Sequence, residues 1–278
     1  MYKTPDLNES TLNDLSNKFL IGTSIESLSA PQQSQCRNLT SEIFVIQQAN
    51  VQPVFTLSPT PTAGGAQVSQ VVYFPTNTTV EGDYDQFLPI ESVGLAAGNA
   101  TDQIQQVPIY TNGSLLGNAS AYLVPPTGVT FISDIDDILR VTKIYEPAQG
   151  ILNTFANTFT PWMNMPSIYA NWSESLTHPQ AHFHYLTTTP EQITRNYEAF
   201  ISANYPPGSF DTRPLNFSDI DATISIREFL LTKIFLTFPQ RKFVLIADTS
   251  NSDVMRDYPK LVCHILNLTS HPLFHTSN

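Results

Sequence analysis

No other stretch restricts the architecture as tightly as Gly128 to Arg140, GVTFISDIDDILR. Val129 to Ile132 form a short apolar run, with Pro125, Pro126 and Gly128 supplying a turn before it, which is the pattern of a fully buried strand. The run ends abruptly in Asp134, Asp136 and Asp137. Three carboxylates within four residues repel one another unless something cationic sits among them, and Mg2+ suits a site of one or two carboxylates plus phosphate oxygens. Capping a following helix would need one aspartate. A second apolar run, KFVLIAD from Lys242 to Asp248, also ends in a carboxylate, and Asp253 follows five residues later. Two buried strands that deliver acids at their carboxyl ends describe the ligand crevice of an open α/β sheet.

Around this stretch the chain divides into three parts. Residues 1–35 read as a polar, partly disordered segment with a short helix in the Leu7–Phe19 region. Residues 36–127 carry short β-rich runs (SEIFVIQ, PVFTL, VSQVVYF, QFLPIESVGL, QQVPIYT, ASAYLV) separated by turn clusters, which predicts a sandwich-like β domain. From 128 to 278 apolar strands alternate with helical stretches, which predicts βαβ units on a parallel sheet with helices on both faces. Strands are expected at Val129–Ser133, His182–Thr187, Lys242–Ala247 and Val262–Leu268. Helices are expected at Gly150–Phe159, Pro190–Ala203 and Ile224–Phe238.

Composition narrows the partners. The net charge is −11 and the pI about 4.8, so nucleic acid would be repelled, as would purely electrostatic docking on an anionic membrane. Nothing approaches the roughly 20 apolar residues of a transmembrane helix. Cys36 and Cys263 are the only cysteines, too few for a disulfide framework, zinc site or redox motif. Two signals bear on compartment and conflict. The opening MYKTPDLNES carries no apolar signal-peptide stretch, whereas sequons begin at Asn8, Asn38, Asn77, Asn99, Asn112, Asn118, Asn171, Asn216 and Asn267. These sequons and the low charged fraction of 13% suggest an exported glycoprotein, secreted or in the endomembrane lumen, whose true amino terminus precedes this sequence; a cytoplasmic location is the alternative.

FISDIDD resembles motif I of the haloacid dehalogenase (HAD) superfamily of phosphotransferases, an apolar strand followed by Asp-x-Asp. HFHYLTTTP resembles motif II, and FPQRKFVLIADTSNSD resembles motif IV. Within that superfamily, these segments and PPGSF are similar to the actin-patch-protein type phosphatidate phosphatases, over residues 128 to about 258. The resemblance implies a HAD-type, Rossmann-like catalytic domain with Mg2+ as cofactor and a phosphate monoester as substrate, phosphatidate at a membrane surface in that family.

A phosphate monoester needs a nucleophile, a proton donor for the leaving group and neutralisation of the phosphoryl charge. On the resembling motifs, Asp134 is the nucleophile that forms an aspartyl-phosphate, and Asp136 the general acid and later base. Asp134, the backbone carbonyl of Asp136 and Asp248 hold Mg2+, with Asp253 as ligand or neighbour. Thr187 offers a hydroxyl to the phosphoryl group, and Asp137 orients the loop. Two positions depart from the family: Ile138 stands where Thr is usual, and the motif III cation is Arg227 rather than Lys, with Lys233 as the competing choice.

Other candidates have plainer readings. His182 and His184 share one strand face; without a third ligand they read as a structural pair rather than zinc ligands. Trp162, Tyr169 and Trp172 could shape a substrate entrance or simply pack. After Tyr258 the final helix of the family is shortened. Three functions follow: an Mg2+-dependent lipid phosphate phosphatase, a phosphatase for small soluble esters, or a catalytically inactive cell-surface binding protein on the same fold.

Overall fold

The computed structural model describes residues 2–3, 5–59, 69–84, 86–91, 95, 103–111, 119–213, 220–249 and 258–259. In chain order its elements are β1 (Tyr2–Lys3), α1 (Glu9–Phe19), α2 (Ala30–Ile43), β2 (Ile46–Gln47), β3 (Val54–Leu57), β4 (Gln70–Tyr73), β5 (Gln105–Thr111) and β6 (Ala119–Leu123). They continue with β7 (Gly128–Ser133), α3 (Pro147–Phe155), α4 (Met165–Ser175), β8 (His182–Pro190), α5 (Thr194–Asn204), β9 (Ser209–Arg213), α6 (Ile220–Thr237) and β10 (Arg241–Ile246).

The fold is mixed α/β, and its organising layer is a four-stranded parallel sheet of order β10-β7-β8-β9. From β7 the chain steps outward to β8 and β9, then returns across β7 to β10. The direction of winding therefore reverses between β7 and β10, so their carboxyl ends flank a topological switch point, where open α/β sheets bind ligands. Ser133 pairs with Ile246 in the register. Asp134 and Asp248 consequently emerge at neighbouring strand ends.

Strand alternation assigns each side chain to a face. Phe131 faces a core of Tyr169, Phe183, Tyr185, Tyr197, Phe200 and Ile201, gathered with α4 and α5. Ile132 faces the opposite core, where Leu230, Leu231, Ile234 and Phe235 of α6 are packed. Those α6 positions recur at the spacing of an apolar helix stripe, and Arg227 stands one turn earlier on the same stripe. Close packing of the sheet on its loops also needs Gly208, because a β-carbon there would lie 2.2 Å from the Phe183 carbonyl oxygen.

Upstream, β3 to β6 form an antiparallel sheet of order β4-β3-β5-β6 around Leu57, Val72 and Val107. The stretch joining it to β7 is clamped by Arg241. Its guanidinium donates to the Pro125 carbonyl (2.7 Å), the Thr127 carbonyl, the Val129 carbonyl (2.7 Å) and Thr130 Oγ1 (2.8 Å). Residues 1–35, expected to be partly disordered, contain α1 and the first six residues of α2. Leu20, Ile25, Cys36 and Leu39 pack there with Phe155 of α3, and Ser16 and Thr40 share a buried hydroxyl hydrogen bond of 2.9 Å. α1 matches the short helix expected in the Leu7–Phe19 region, whereas the polar sequence hid α2, whose order comes from tertiary packing rather than from propensity. The strand expected at Val262–Leu268, the shortened final helix and Cys263 lie outside the described residues.

Candidate active site

Asp134 follows β7 directly and is 6% exposed. Its amide donates to the Ile246 carbonyl at 2.8 Å, tying it to β10. Its carboxylate lies on the α6 side of the sheet, two residues beyond Ile132, where alternation places it. There Oδ2 accepts from Arg227 Nη2 at 3.0 Å and Oδ1 from the Ile135 amide at 2.9 Å. Burial pushes the Asp134 carboxyl up to about 6; Arg227 opposes that rise, and Asp136 adds to it. On the other side, Ser133 Oγ donates to the Asp134 carbonyl at 2.7 Å and meets the Tyr169 hydroxyl at 2.6 Å.

Arg227 is 2% exposed and also donates to the Tyr258 hydroxyl at 3.4 Å. Lys233, the competing cation, instead pairs with Asp211 at 3.4 Å. Helix periodicity accounts for the difference. Arg227 precedes Leu230, Leu231 and Ile234 by three, four and seven residues, whereas Lys233 falls between the rows of that stripe.

The Asp136 carboxylate sits in a cradle of hydroxyls. Thr142 Oγ1 donates to its Oδ1 at 2.6 Å, and the Tyr197 hydroxyl reaches Oδ1 at 3.0 Å and Oδ2 at 3.2 Å. Thr189 Oγ1 lies 3.4 Å from Oδ2, and Arg140 Nε lies 3.6 Å from Oδ1. Arg140 is fully buried, with its guanidinium carbon 3.7 Å from the Phe159 ring centroid and 4.8 Å from that of Tyr197.

Asp137 supports the loop, as expected. It occupies the left-handed region (φ 58°), which Asp tolerates better than most residues. Its carboxylate accepts from the amides of Thr142 (2.9 Å), Lys143 (2.6 Å) and Ile144 (2.9 Å). Ile138, the departure from the Thr usual here, packs against the core that contains Phe131 and Ile135.

The remaining predicted residues divide. Thr187 is 1% exposed, and its hydroxyl accepts the Thr189 amide at 3.1 Å; Thr189 is the residue that extends toward Asp136. Asp248 is half-buried just past β10, and Asp253 lies outside the described residues. Among the described residues no three His, Cys, Asp or Glu side chains converge as a metal cluster. The donors at the switch point are nevertheless of the class that Mg2+ takes. Asp134 and Asp248 are carboxylates on adjacent strand ends, and the Asp136 carbonyl adds a third hard oxygen.

The histidine pair is structural. His182 Nε2 lies 2.9 Å from Ser209 Oγ and His184 Nε2 lies 3.2 Å from Asp211. Burial first, then His184 and Arg241, pull the His182 imidazole down to about 3. Tyr169 is fully buried and the Trp172 ring stacks on Phe131 at 4.8 Å, so both pack rather than line an entrance. The Trp162 amide anchors the segment to the Leu139 carbonyl at 2.8 Å.

Sequence reading passed over Arg140, Thr142, Thr189 and Tyr197. Arg140 and Thr142 follow the acidic motif closely enough to have been candidates. Tyr197, 61 residues beyond Asp136, carries no local signal.

The family model described as phosphatidate phosphatase APP1, catalytic domain, matches residues 129–267, half of the chain. Phosphatidate phosphatase APP1 of Saccharomyces cerevisiae is 27% identical over 141 residues, which cover 48% of this chain and 24% of that protein. The chain thus matches about a quarter of the length of that curated relative. Among solved structures, a siderophore-interacting protein from Acinetobacter baumannii is similar at 10% identity, over 80% of this chain and 86% of that one, with a TM-score of 0.17. That score carries no structural argument.

Proposed function

Because the chain belongs to the family of phosphatidate phosphatase APP1 catalytic domains, we propose that it is an Mg2+-dependent phosphate monoester hydrolase of HAD type that converts phosphatidate to diacylglycerol. The observation that carries this reading is the buried Asp134 carboxylate, held 3.0 Å from Arg227 at the sheet's switch point. Asp134 attacks phosphorus to give an aspartyl-phosphate. Arg227 stands beside the attacking carboxylate, where it neutralises the transferring phosphoryl group. Asp136 protonates the leaving alkoxide and later takes a proton from the water that releases phosphate. Asp134, the Asp136 carbonyl and Asp248 would hold the metal, with Asp253 beside them. Bound Mg2+ supplies further neutralisation of the phosphoryl oxygens.

The inactive binding protein is the less favoured reading. Of its three motives, Ile138, Arg227 and the short carboxyl end, the first is offset by three amide hydrogen bonds to Asp137 that brace the same loop. In the phosphatase reading the strands β3 to β6, which are antiparallel, form a separate β domain within residues 36–127, while residues 36–43 complete α2 and pack with Phe155. A lumenal or secreted location is supported by the exposure of the sequon residues Asn8, Asn38, Asn77 and Asn171. No described helix is long and apolar enough to cross a membrane.

The test is phosphate release from dioleoyl-phosphatidate micelles and from p-nitrophenyl phosphate, with Mg2+ or EDTA, for wild type and Asp134→Asn. Mg2+-dependent release that the substitution abolishes supports the proposal. Folded protein that releases no phosphate from either ester refutes it. Release from p-nitrophenyl phosphate alone would move the substrate to small soluble esters.

A further inference from the structure

The distribution of donors around Asp136 is uneven. Oδ1 receives the Thr142 hydroxyl at 2.6 Å and the Tyr197 hydroxyl at 3.0 Å, with Arg140 Nε at 3.6 Å. Oδ2 has only the longer contacts, Tyr197 at 3.2 Å and Thr189 at 3.4 Å. Oδ1 is thus the more firmly held of the two oxygens, and Oδ2 the more weakly engaged. Tyr197 is 2% exposed, and burial together with Asp136 raises its phenol well above the usual range. It therefore remains a donor at every working pH. Arg140 backs this arrangement. Its guanidinium lies over the rings of Phe159 and Tyr197, Nη2 donates to the Asn153 carbonyl at 3.0 Å, and Nε and Nη1 are buried without a hydrogen-bond partner.

We propose that Tyr197 and Thr142, with Arg140 behind them, are positioning residues that hold Asp136 by Oδ1 and so reserve Oδ2 for proton transfer to the leaving group. The proposal rests on the phosphatase reading above. As the bond between phosphorus and the ester oxygen breaks, an Asp134 carboxylate oxygen bonds to phosphorus. The proton on Asp136 Oδ2 passes to the ester oxygen, so the alcohol leaves neutral and Asp136 is left as a carboxylate. The cradle acts only through Asp136, and its importance grows with how much the leaving group needs that proton. An alkoxide departing from a lipid phosphate needs it acutely, and p-nitrophenolate needs it little.

The experiment compares kcat on dioctanoyl-phosphatidate and on p-nitrophenyl phosphate for wild type, Tyr197→Phe, Thr142→Val, Thr142→Ser and Asp136→Asn. General acid catalysis contributes roughly 100-fold or more. Tyr197→Phe and Thr142→Val should each lose about 10-fold more on the lipid ester than on the aryl ester, in the same direction as Asp136→Asn. Thr142→Ser, which keeps the hydroxyl, should restore the lipid rate. Thermal denaturation identifies any variant that fails to fold, and the two sites supply independent arms. Equal losses on both esters, or no loss on either, from an active wild type would overturn the assignment. A wild type inactive on both would instead overturn the phosphatase reading, and this assignment with it.

Discussion

Arg227 Nη2 stands 3.0 Å from Asp134 Oδ2, a pair closed across 93 residues of sequence. The two side chains are 2% and 7% exposed, so each is the other's main compensation for leaving water. Removing one partner of such a pair costs about 3–5 kcal/mol, whereas removing both charges together can be nearly neutral. Arg227→Met should therefore destabilise the protein by about that amount, and adding Asp134→Asn should recover most of it. Urea denaturation of the two single variants and the double variant measures this coupling. Strictly additive losses would show that the pair is not an energetic unit.

Asp137 makes a second, local prediction. Asn tolerates the left-handed region as well as Asp does, so Asp137→Asn isolates the loss of charge and of acceptor oxygens from any backbone effect. One of its two oxygens becomes a donor facing amides, which should cost about 1–3 kcal/mol. Asp137→Ala adds the φ penalty and should cost more, as chemical denaturation would show.

The pH dependence of stability follows from His182. Its pKa in the fold is about 3, against an ordinary 6.5, so the unfolded chain binds its proton more readily. The contribution of His182 is full above pH 6.5 and falls away as pH drops toward 3, by about 1.4 kcal/mol per pH unit. His182→Gln should flatten the fall in stability between pH 6.5 and 4, read as melting temperature against pH. Glu191 works in the opposite sense. Burial pushes it up to about 7 from an ordinary 4.5, so its contribution is present below pH 4.5 and is lost as pH rises through 7. Glu191→Gln should flatten that side of the same profile.

Gly208 tests the packing of the sheet. A methyl group there meets the Phe183 carbonyl oxygen at 2.2 Å, and that neighbour is backbone. Gly208→Ala should therefore shift β8 against the segment before β9 and cost about 1–3 kcal/mol. A melting temperature equal to wild type would contradict the close approach.

Much of the site could be read in the sequence because its signals are local. The apolar run ending at Ser133 and the acids after it specify a buried strand with carboxylates at its end, and strand alternation separates Ser133 from Asp134 onto opposite faces. The spacing of Arg227, Leu230, Leu231 and Ile234 likewise marks the core stripe of α6, which favours Arg227 over Lys233. In residues 1–43 the helix near Leu7–Phe19 was legible, but α2 and the packing that orders both helices were not. Their buried side chains are few and include Ser16 and Thr40, so no apolar stripe announced that packing.

By itself the sequence determined the alternating α/β plan from residue 128 onward, the acidic strand ends and the loop role of Asp137. These follow from hydrophobic periodicity and short-range sterics, which act within a few residues. The tertiary structure alone decided that Tyr197 would hold Asp136, that Arg140 would be buried between two rings, and that Lys233 would be drawn to Asp211. Each of these depends on which helix crosses which strand end, and that is set by packing the whole core rather than by any local run of residues.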